Sequence, residues 1–220
     1  MSKPKKLALH TCCAPCSTVF LPELIEEGQF QPVVFYANDN IDTEEEYDKR
    51  LAVVREYAQS LGVAVVAKPY DHQAWQKAVV GLEGAAPLPE SERGSEEYQV
   101  NLDRRRARCA ACYDLRLSQT AQFAKAYGIK VMGSTLAVSP YQFVDEINAI
   151  LLDVAKAYRL KAAPCDLRDR YHLSIERSRA LHMYRQNYCG CEYSKAEAES
   201  ERQVRKAARQ AAKAALKPGA

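Results

Sequence analysis

The fold is decided by the stretch Lys6-Leu-Ala-Leu-His-Thr-Cys-Cys-Ala-Pro-Cys16. Its first five residues predict a short buried strand, which ends where the cysteines begin. Helical apolar spacing over residues 16–27 predicts that this strand leads directly into a helix. Two further strands are predicted at residues 33–36 and 63–67, with a helix between them. Strands and helices that alternate in this way predict an α/β fold, with a parallel sheet flanked by helices and right-handed crossovers.

The helix between the second and third strands has a clear start signal, because Thr43 precedes it and Glu46 follows in capping-box spacing. Residues 81–94 are rich in Pro, Gly and charge, and predict a mobile surface loop. Regular structure returns with a helix predicted at residues 110–127 and a strand at residues 129–133.

The last third of the chain is predicted to be helical. One helix is predicted to begin at Pro140 with Ser139 as its cap. A second helical region follows Asp166 and leads to Cys189. From residue 195 the sequence is rich in Ala, Lys, Arg and Glu, which predicts a helical tail. The chain is therefore divided into a cysteine-rich α/β domain at 1–194 and a basic helical tail at 195–220.

The composition is that of a globular protein rather than a membrane or disordered one. The 220 residues are 47% apolar and 27% charged, with a net charge of +3. No apolar run is long enough to span a bilayer, and no signal-peptide core follows the basic N-terminus. A cytoplasmic protein with no membrane partner is therefore predicted. In a reducing compartment, clustered cysteines indicate metal binding or catalysis rather than structural disulfides.

Seven of the eight cysteines lie within three positions of another cysteine. Cys12 and Cys13 are adjacent, so both can bind one polynuclear cluster, whereas a single zinc ion usually takes ligands two to four residues apart. Cys109 and Cys112 supply a matching pair at metal-ligand spacing. Four thiolates suit zinc or a 4Fe–4S cluster equally by count. The contiguous pair favours iron–sulfur.

Cys189 and Cys191 form a different kind of pair. Gly190 between them lets the backbone bend so that the two thiols can approach each other. A strained and easily reduced disulfide is one interpretation, and two further metal ligands is the other. Cys16 and Cys165 are predicted to be packing residues, since free cysteine is commonly buried.

Four motifs, in order along the chain, carry a resemblance to a known family. They are Leu9-His-Thr-Cys-Cys-Ala-Pro-Cys-Ser17, Arg108-Cys-Ala-Ala-Cys-Tyr-Asp-Leu-Arg-Leu117, Ser134-Thr-Leu-Ala-Val-Ser-Pro-Tyr141 and Tyr184-Arg-Gln-Asn-Tyr-Cys-Gly-Cys191. Together they closely resemble the QueH type of epoxyqueuosine reductase over about residues 7–194. One departure is Asn38-Asp-Asn-Ile41, where the family usually has Asn-Pro-Asn-Ile.

The resemblance implies a Rossmann-like fold of the adenine nucleotide alpha hydrolase-like (HUP) kind. It also implies reduction of epoxyqueuosine to queuosine at the wobble position of tRNA anticodons. The family pattern implies four ligands of a 4Fe–4S cluster, namely Cys12, Cys13, Cys109 and Cys112. It further implies that Cys189 and Cys191 are a redox-active pair, served by an electron donor that the sequence does not identify.

Removal of the epoxide oxygen also needs an electrophile or a proton donor. A second metal ion held by the Cys189 and Cys191 thiols and by Asp166 would serve, and so would acid donation from Tyr188 or His10. Each of the last three residues also has an ordinary structural interpretation, Asp166 as a helix cap and the other two as packing residues.

Basic and aromatic residues near the cysteines predict contacts with tRNA. Arg104, Arg105 and Arg106 lead into Cys109 and are the first candidates for binding phosphates. Tyr141 is a candidate for stacking on a splayed-out base. Residues 202–217 carry six Lys or Arg and no Asp or Glu, which fits a solvated helix face and an RNA-binding one equally well.

Two other functions fit parts of the sequence. Another HUP-type tRNA-modifying enzyme, such as a sulfur transferase, would typically have a glycine-rich phosphate loop after the first strand, and Thr11-Cys-Cys-Ala-Pro15 has no such glycines. A zinc-stabilised RNA-binding module explains the CxxC pair and the basic residues. It leaves the adjacent cysteines and the Cys-Gly-Cys pair unexplained.

Overall fold

Five parallel strands form one sheet in the part of the chain that the computed structural model describes, residues 4–83 and 94–215. The strands are β1 (Lys5–His10), β2 (Phe30–Tyr36), β3 (Ala64–Ala67), β4 (Val131–Ser134) and β5 (Lys161–Ala162). Their order in the sheet is β3-β2-β1-β4-β5. The predicted α/β fold with a parallel sheet is therefore confirmed, with the Rossmann-like order in which strands step outward from β1 on both sides.

Helices cover both faces of the sheet. They are α1 (Ala14–Glu27), α2 (Glu44–Ser60), α3 (His72–Ala78), α4 (Glu96–Ala126), α5 (Val144–Ala157), α6 (Tyr171–Ala180) and α7 (Glu192–Ala215). Neighbouring residues of a strand point to opposite faces. Leu9 of β1 accordingly packs in the core formed with α1 and α2, and Ala8 packs in the core formed with α4 and α5. The two cores hold the sheet between the two helical layers.

The chain changes direction at the centre of the sheet. It runs outward from β1 through β3, and α4 then returns it so that β4 pairs with β1, with His10 in register with Ser134. Open α/β sheets bind ligands at the carboxyl ends of the strands beside such a switch point. Cys12 follows β1 at this edge, and its backbone N–H donates to the Thr135 hydroxyl, which follows β4, at 3.3 Å. The first and third sequence motifs therefore meet here.

The predicted start of α2 is confirmed. The Thr43 hydroxyl accepts a hydrogen bond from the backbone N–H of Glu46 at 3.2 Å. The Glu46 carboxylate accepts from Arg50 at 2.7 Å and from the Tyr184 hydroxyl at 3.0 Å. Glu46 thus links the first turn of α2 to the chain segment that precedes Cys189.

The predicted start of α4 at residue 110 is wrong, because the helix begins at Glu96. Ser95 caps it by accepting from the Tyr98 N–H at 3.1 Å. The first turns are polar and show no apolar stripe, so periodicity does not reveal them. Ion pairs hold this half of the helix instead, since Arg108 is buried and pairs with Glu197 of α7.

Two other predicted helix boundaries are also wrong. α5 begins at Val144, because Ser139 caps a turn rather than a helix and its hydroxyl accepts from the Tyr141 N–H at 3.3 Å. Between Asp166 and Cys189 only a short 3-10 segment and α6 are helical. His182 takes a positive φ of 51° just after α6, and the chain is irregular from there to α7.

The predicted helical tail is confirmed as α7, which runs through residue 194 without a break. The division of the chain at residue 194 stays a prediction. Residues 84–93, most of the loop predicted at 81–94, lie outside the described residues, as does the chain beyond residue 215. Within the described ranges, no helix is both long enough and apolar enough to cross a membrane.

Two neighbouring leucines of α5 test how the core stabilises the fold. Leu151 is 1% exposed and packs against the sheet, whereas Leu152 is 51% exposed. Leu151→Ala is expected to lower the free energy of unfolding by about 2–5 kcal/mol, because it removes buried methyl groups and leaves a cavity. Leu152→Ala is the matched control and should stay within about 0.5 kcal/mol of wild type. Urea denaturation measures both free energies of unfolding. Equal losses of stability in the two variants would contradict the conclusion that Leu151 faces the core and Leu152 faces solvent.

Candidate active site

A cavity of about 480 Å³ lies at the switch point, and every cysteine except Cys165 lines it. Three of these cysteines come from the start of α1, two from α4 and two from the segment that leads into α7. All eight are free thiols. So many thiols around one cavity are typical of sites that bind metal or transfer electrons.

The first group of thiols is a compact trio. The sulfur atoms of Cys12, Cys13 and Cys16 all lie within 4.8 Å of one another. Cys13 is the N-cap of α1, and Cys16 lies one turn further along the helix. Cys16 is predicted from the sequence to be a packing residue, but it belongs to a group that could hold a metal ion. The sequence contains a pattern that indicates metal binding by Cys16, because Cys13-Ala-Pro-Cys16 has CxxC spacing.

Hydrogen bonds among these thiols make their acidities unequal. Cys12 donates to the sulfur of Cys13 at 3.8 Å. Hydrogen bonds from Cys12 and then Cys16 lower the pKa of Cys13. The hydrogen bond with Cys13 raises the pKa of Cys12 to about 11, and hydrogen bonds with Cys12 and then Cys13 raise the pKa of Cys16. One thiolate on Cys13 is therefore stabilised by two protonated neighbours.

The second group faces the cavity from α4 and from the segment before α7. Cys112 is buried and packs with Cys191 and Trp75. Burial, followed by the charge of Cys189, raises the pKa of Cys109, and burial raises the pKa of Cys191 to about 12. Thiols of this kind keep their protons at neutral pH until a metal or a cation displaces them.

The backbone between Cys189 and Cys191 is held in place from two sides. Arg50 donates to the Cys189 carbonyl oxygen at 2.8 Å, and the Asp42 N–H donates to the Gly190 carbonyl oxygen at 3.0 Å. Gly190 has a φ of 156°, and a Cβ atom there would lie 2.6 Å from Nδ2 of the buried Asn40. The absence of a side chain at Gly190 is therefore what lets the cysteine pair approach the loop after β2.

A buried guanidinium group lies beside both groups of thiols. Arg116 is 1% exposed and donates to Asn38 Oδ1 at 2.5 Å and to the Cys112 sulfur at 3.8 Å. Burial acts to lower the pKa of Arg116, but the charges of Cys112 and then Cys189 and Cys12 raise it above its ordinary value. Unlike Arg108, it has no ion pair with a carboxylate in the described part of the chain. Once a bound metal displaces their protons, the neighbouring thiolates would supply the counter-charge of Arg116.

Several buried polar atoms around the cavity have no hydrogen-bond partner among the described residues. They include Nε1 of Trp75, Nε of Arg116 and Oδ1 of Asn40. Trp75 and Asn40 line the cavity directly. N–H donors beside cysteine thiolates stabilise anionic metal–sulfur groups. The cysteine thiols and the buried N–H groups of Trp75 and Arg116 therefore fit a metal–sulfur group at this cavity.

Of the three residues predicted as second-metal ligand or acid, the structure brings only Tyr188 to the cavity. Its hydroxyl donates to Asp42 at 2.7 Å, and burial together with this bond raises its pKa. His10 is fully buried between Ser134 and the Ala37 carbonyl oxygen, and burial lowers its pKa to about 3.

Asp166 does not line the cavity. It is exposed and hydrogen-bonds to Arg168 at 2.9 Å, a contact that lowers its pKa. Its neighbour Cys165 also lies away from the cavity and exchanges backbone hydrogen bonds with the Asn148 side chain.

The residues predicted to contact RNA lie at or near the cavity mouth. Tyr141 is 53% exposed, lines the cavity and meets Tyr171 edge-on. Arg105 also lines the cavity, where its Nε lies 3.3 Å from Glu197. Arg106 lies outside it and pairs with Glu146 at 3.4 Å, and Arg104 is exposed on the same helix.

Gly190→Ala tests the close approach described above. The added methyl group would clash with Asn40 and Ile41, so the Cys189–Cys191 segment should move outward. We expect Cys191, now 8% exposed, to be alkylated about tenfold faster by iodoacetamide. A tenfold rise corresponds to a penalty of about 1.4 kcal/mol on the closed position. Peptide-level mass spectrometry measures the rate.

Gly62→Ala is the control for this variant. Gly62 also has a positive φ, 68°, but no atom lies within 4 Å of a Cβ atom built there. It should lower stability through backbone strain alone and leave the alkylation of Cys191 unchanged. Equal alkylation rates in Gly190→Ala and wild type would show that the steric contact does not hold the segment.

Comparison with known proteins identifies the family. The family model described as Epoxyqueuosine reductase QueH matches residues 7–197. Epoxyqueuosine reductase QueH of Streptococcus pyogenes serotype M1 is 32% identical over 196 residues, which cover 86% of this chain and 69% of the relative. The protein of the same name from Dehalococcoides mccartyi is 32% identical over 192 residues, covering 87% and 93%. The one from Thermotoga maritima is 28% identical over 190 residues, covering 84% and 88%. The chain therefore belongs to the epoxyqueuosine reductase QueH family.

Proposed function

We propose that this protein reduces epoxyqueuosine to queuosine at the wobble position of tRNA, the last step in the biosynthesis of queuosine in tRNA. One observation carries the proposal. In a chain of the QueH family, seven cysteines from three distant segments line a single cavity at the carboxyl edge of the sheet. An enzyme that acts on tRNA in this way works in the cytoplasm.

The redox balance of the reaction suits a pair of thiols. Conversion of the epoxide to the alkene consumes two electrons and two protons and releases water. Oxidation of the Cys189 and Cys191 dithiol to a disulfide releases two electrons and two protons. An electron donor then returns the disulfide to the dithiol. The hydrogen bonds to the Cys189 and Gly190 carbonyl oxygens support this role, because they hold the backbone of the pair beside the cavity.

Four other cysteines would hold the iron–sulfur cofactor: Cys12, Cys13, Cys109 and Cys112. A 4Fe–4S cluster would supply electrons one at a time. Support for this ligand set comes from the thiols that face one cavity and from the buried N–H donors of Trp75 and Arg116 beside them. Cys16 lies close enough to Cys12 and Cys13 to compete as a ligand, and mutagenesis separates the two sets.

The proton for the leaving oxygen has two sources at the cavity. Cys191 has a raised pKa and so carries its proton at neutral pH, and Tyr188 presents a hydroxyl whose pKa is also raised. His10 and Asp166 are not part of the proposal, since neither lines the cavity. The alternative use of Cys189 and Cys191, as two ligands of a second metal ion, predicts a bound metal that is lost together with either thiol.

The cavity mouth supports a tRNA substrate. Tyr141 is exposed there and can stack on the splayed-out wobble base. Arg105 lines the cavity, and Arg104 and Arg106 lie beside it on α4, where their charges can bind the phosphates on either side of that base.

Anaerobic turnover of epoxyqueuosine-containing tRNA with a chemical reductant, followed by nucleoside analysis, tests the function. The wild-type protein should be brown and should form queuosine. Cys189→Ser should keep the colour and lose activity, because it removes one thiol of the redox pair. Cys12→Ser should lose both. Cys165→Ser is the matched control, since its thiol lies outside the cavity, and it should keep both.

Three outcomes would overturn parts of the proposal. A folded, colourless, zinc-loaded wild-type protein without turnover would favour the zinc-stabilised RNA-binding module. Full activity in Cys189→Ser would remove the redox pair from the reaction. Cys16→Ser, added to the series, should keep the brown colour. A colourless Cys16→Ser protein would assign Cys16 to the cluster in place of another cysteine.

Arg116 gives a prediction that does not depend on turnover. Arg116 donates to the Cys112 sulfur, and a unit charge several ångströms from a metal–sulfur group held there would contribute about 2–3 kcal/mol at an effective dielectric constant of about 20. Arg116→Gln should therefore make the midpoint potential more negative by on the order of 100 mV, since about 59 mV corresponds to a factor of ten for one electron. A redox titration followed by electron paramagnetic resonance measures it.

Arg116→Lys is the control, because it keeps the positive charge and changes only the shape of the group. Its potential should stay closer to that of the wild-type protein than the Gln variant's does. Equal shifts in both variants would show that Arg116 acts through packing rather than charge.

A further inference from the structure

The wall of the cavity continues along α7 beyond the α/β domain. Arg202 and Arg205 line the cavity together with Glu197 and Glu201. The same two arginines also line a shallow surface groove with Lys206, Arg209 and Gln210. One face of α7 is therefore shared between the active site and a basic external surface, which we call the α7 basic face (Arg202, Arg205, Lys206 and Arg209).

The positions of these four residues follow helical periodicity. They lie at i, i+3, i+4 and i+7, so their side chains share one side of the helix. At 1.5 Å per residue they extend over about 10 Å. Glu201 is the last acidic residue of the chain. The charge of α7 thus changes from mixed at the cavity wall to purely basic outside it.

Most of this positive charge is available to a partner. Arg202 pairs with Glu199, and Arg205 pairs with Glu201 at 3.2 Å, but both are exposed pairs within the same helix. Such pairs contribute only about 0–1 kcal/mol and exchange readily for a stronger anion. Lys206 and Arg209 are exposed and have no ion pair among the described residues.

Packing gives no other reason for the basic face. Among the α7 side chains that the structure describes, Val204 is the last half-buried one, and those at 205–212 are all exposed. This part of the helix is rich in alanine, so it can be helical without burying an apolar stripe. A projecting helix with four cations on one side is suited to a polyanion.

Resting on the function proposed above, we infer that the α7 basic face binds the sugar–phosphate backbone of the tRNA anticodon stem while the wobble nucleotide occupies the cavity. The contacts are with phosphates, so they position the tRNA and do not read its sequence. RNA is favoured over an acidic protein because the basic face is continuous with the cavity that receives the nucleotide. Arg105 and Arg106 of α4 also pair with carboxylates, those of Glu197 and Glu146, and the α7 basic face adds to the phosphate contacts proposed for them.

The double variant Lys206→Glu/Arg209→Glu tests the inference without changing a residue that lines the cavity. Fluorescence anisotropy with a full-length tRNA transcript, at several salt concentrations, should show at least tenfold weaker binding at low salt. The slope of log K against log salt should fall in magnitude by about 1–2, as expected for the loss of two phosphate contacts. An oligonucleotide of the anticodon loop without its stem should bind wild type and variant equally.

The matched control is Lys125→Glu/Lys156→Glu. These exposed lysines lie in the last turns of α4 and α5, at the opposite edge of the sheet from the cavity, and the change in charge is the same. This control should bind the tRNA as the wild type does. If both double variants lose affinity equally, net charge rather than the α7 basic face is responsible, and the inference fails.

Turnover separates this inference from the proposed function. If the wild-type protein forms queuosine and Lys206→Glu/Arg209→Glu raises KM while kcat is kept, both stand. Unchanged affinity and salt slope in the variant would overturn the inference and leave the function intact. Unchanged tRNA affinity with slower turnover from a protein reductant would assign the face to the electron donor instead. If the wild type forms no queuosine, the proposed function fails whatever the affinity.

Discussion

Charge balance around one buried guanidinium group constrains the centre of this molecule. Arg116 is held where water cannot reach it, and its contacts are the Asn38 side chain and the Cys112 sulfur. Asn38 in turn donates to the Thr11 carbonyl oxygen at 2.9 Å, immediately before the adjacent cysteines. The segment after β1, the loop after β2 and α4 are therefore joined at one point. A buried charge is stable in few arrangements of its neighbours. The contacts that stabilise the fold around Arg116 therefore also fix the positions of the nearby thiols.

The sheet order explains why distant sequence motifs share a site. β1 and β4 are neighbours only because the chain reverses between β3 and β4, and this places the Cys12 segment beside Thr135. The segment that carries Cys189 lies on no strand, so it is positioned by side chains. Arg50 of α2 and Asp42 of the adjoining loop provide that support. The sheet thus positions the three thiols that follow β1, α4 carries two more, and hydrogen bonds from α2 and the loop after β2 position the last two.

Local sequence patterns predict four of the five strands, the start of α2 and most of the cysteines at the cavity, because each depends on near neighbours. The two residues of β5 are too few to show a pattern. The predicted start of α4 is wrong because its first turns are polar and show no apolar stripe, and the ion pairs with α7 come only further along the helix, at Arg105 and Arg108. Arg116 and Trp75 gave no signal, because their burial beside sulfur results from tertiary packing. Asp166 was a reasonable ligand by chemistry, yet its hydrogen bond to Arg168 places it at the surface. A single sequence does not show which residues far apart in the chain are in contact, and these features depend on such contacts.

The direct connection between Cys191 and α7 has a mechanical consequence. α7 begins at the next residue, and Ser194 in its first turn accepts from the Gly190 N–H and donates to the Cys191 carbonyl oxygen. Because α7 is joined so closely to the thiol pair, a tilt of the helix would move the two sulfur atoms. Thermodynamic linkage makes such a coupling reciprocal. A ligand bound to α7 and any change that moves the Cys189–Cys191 segment would then each alter the free energy of the other.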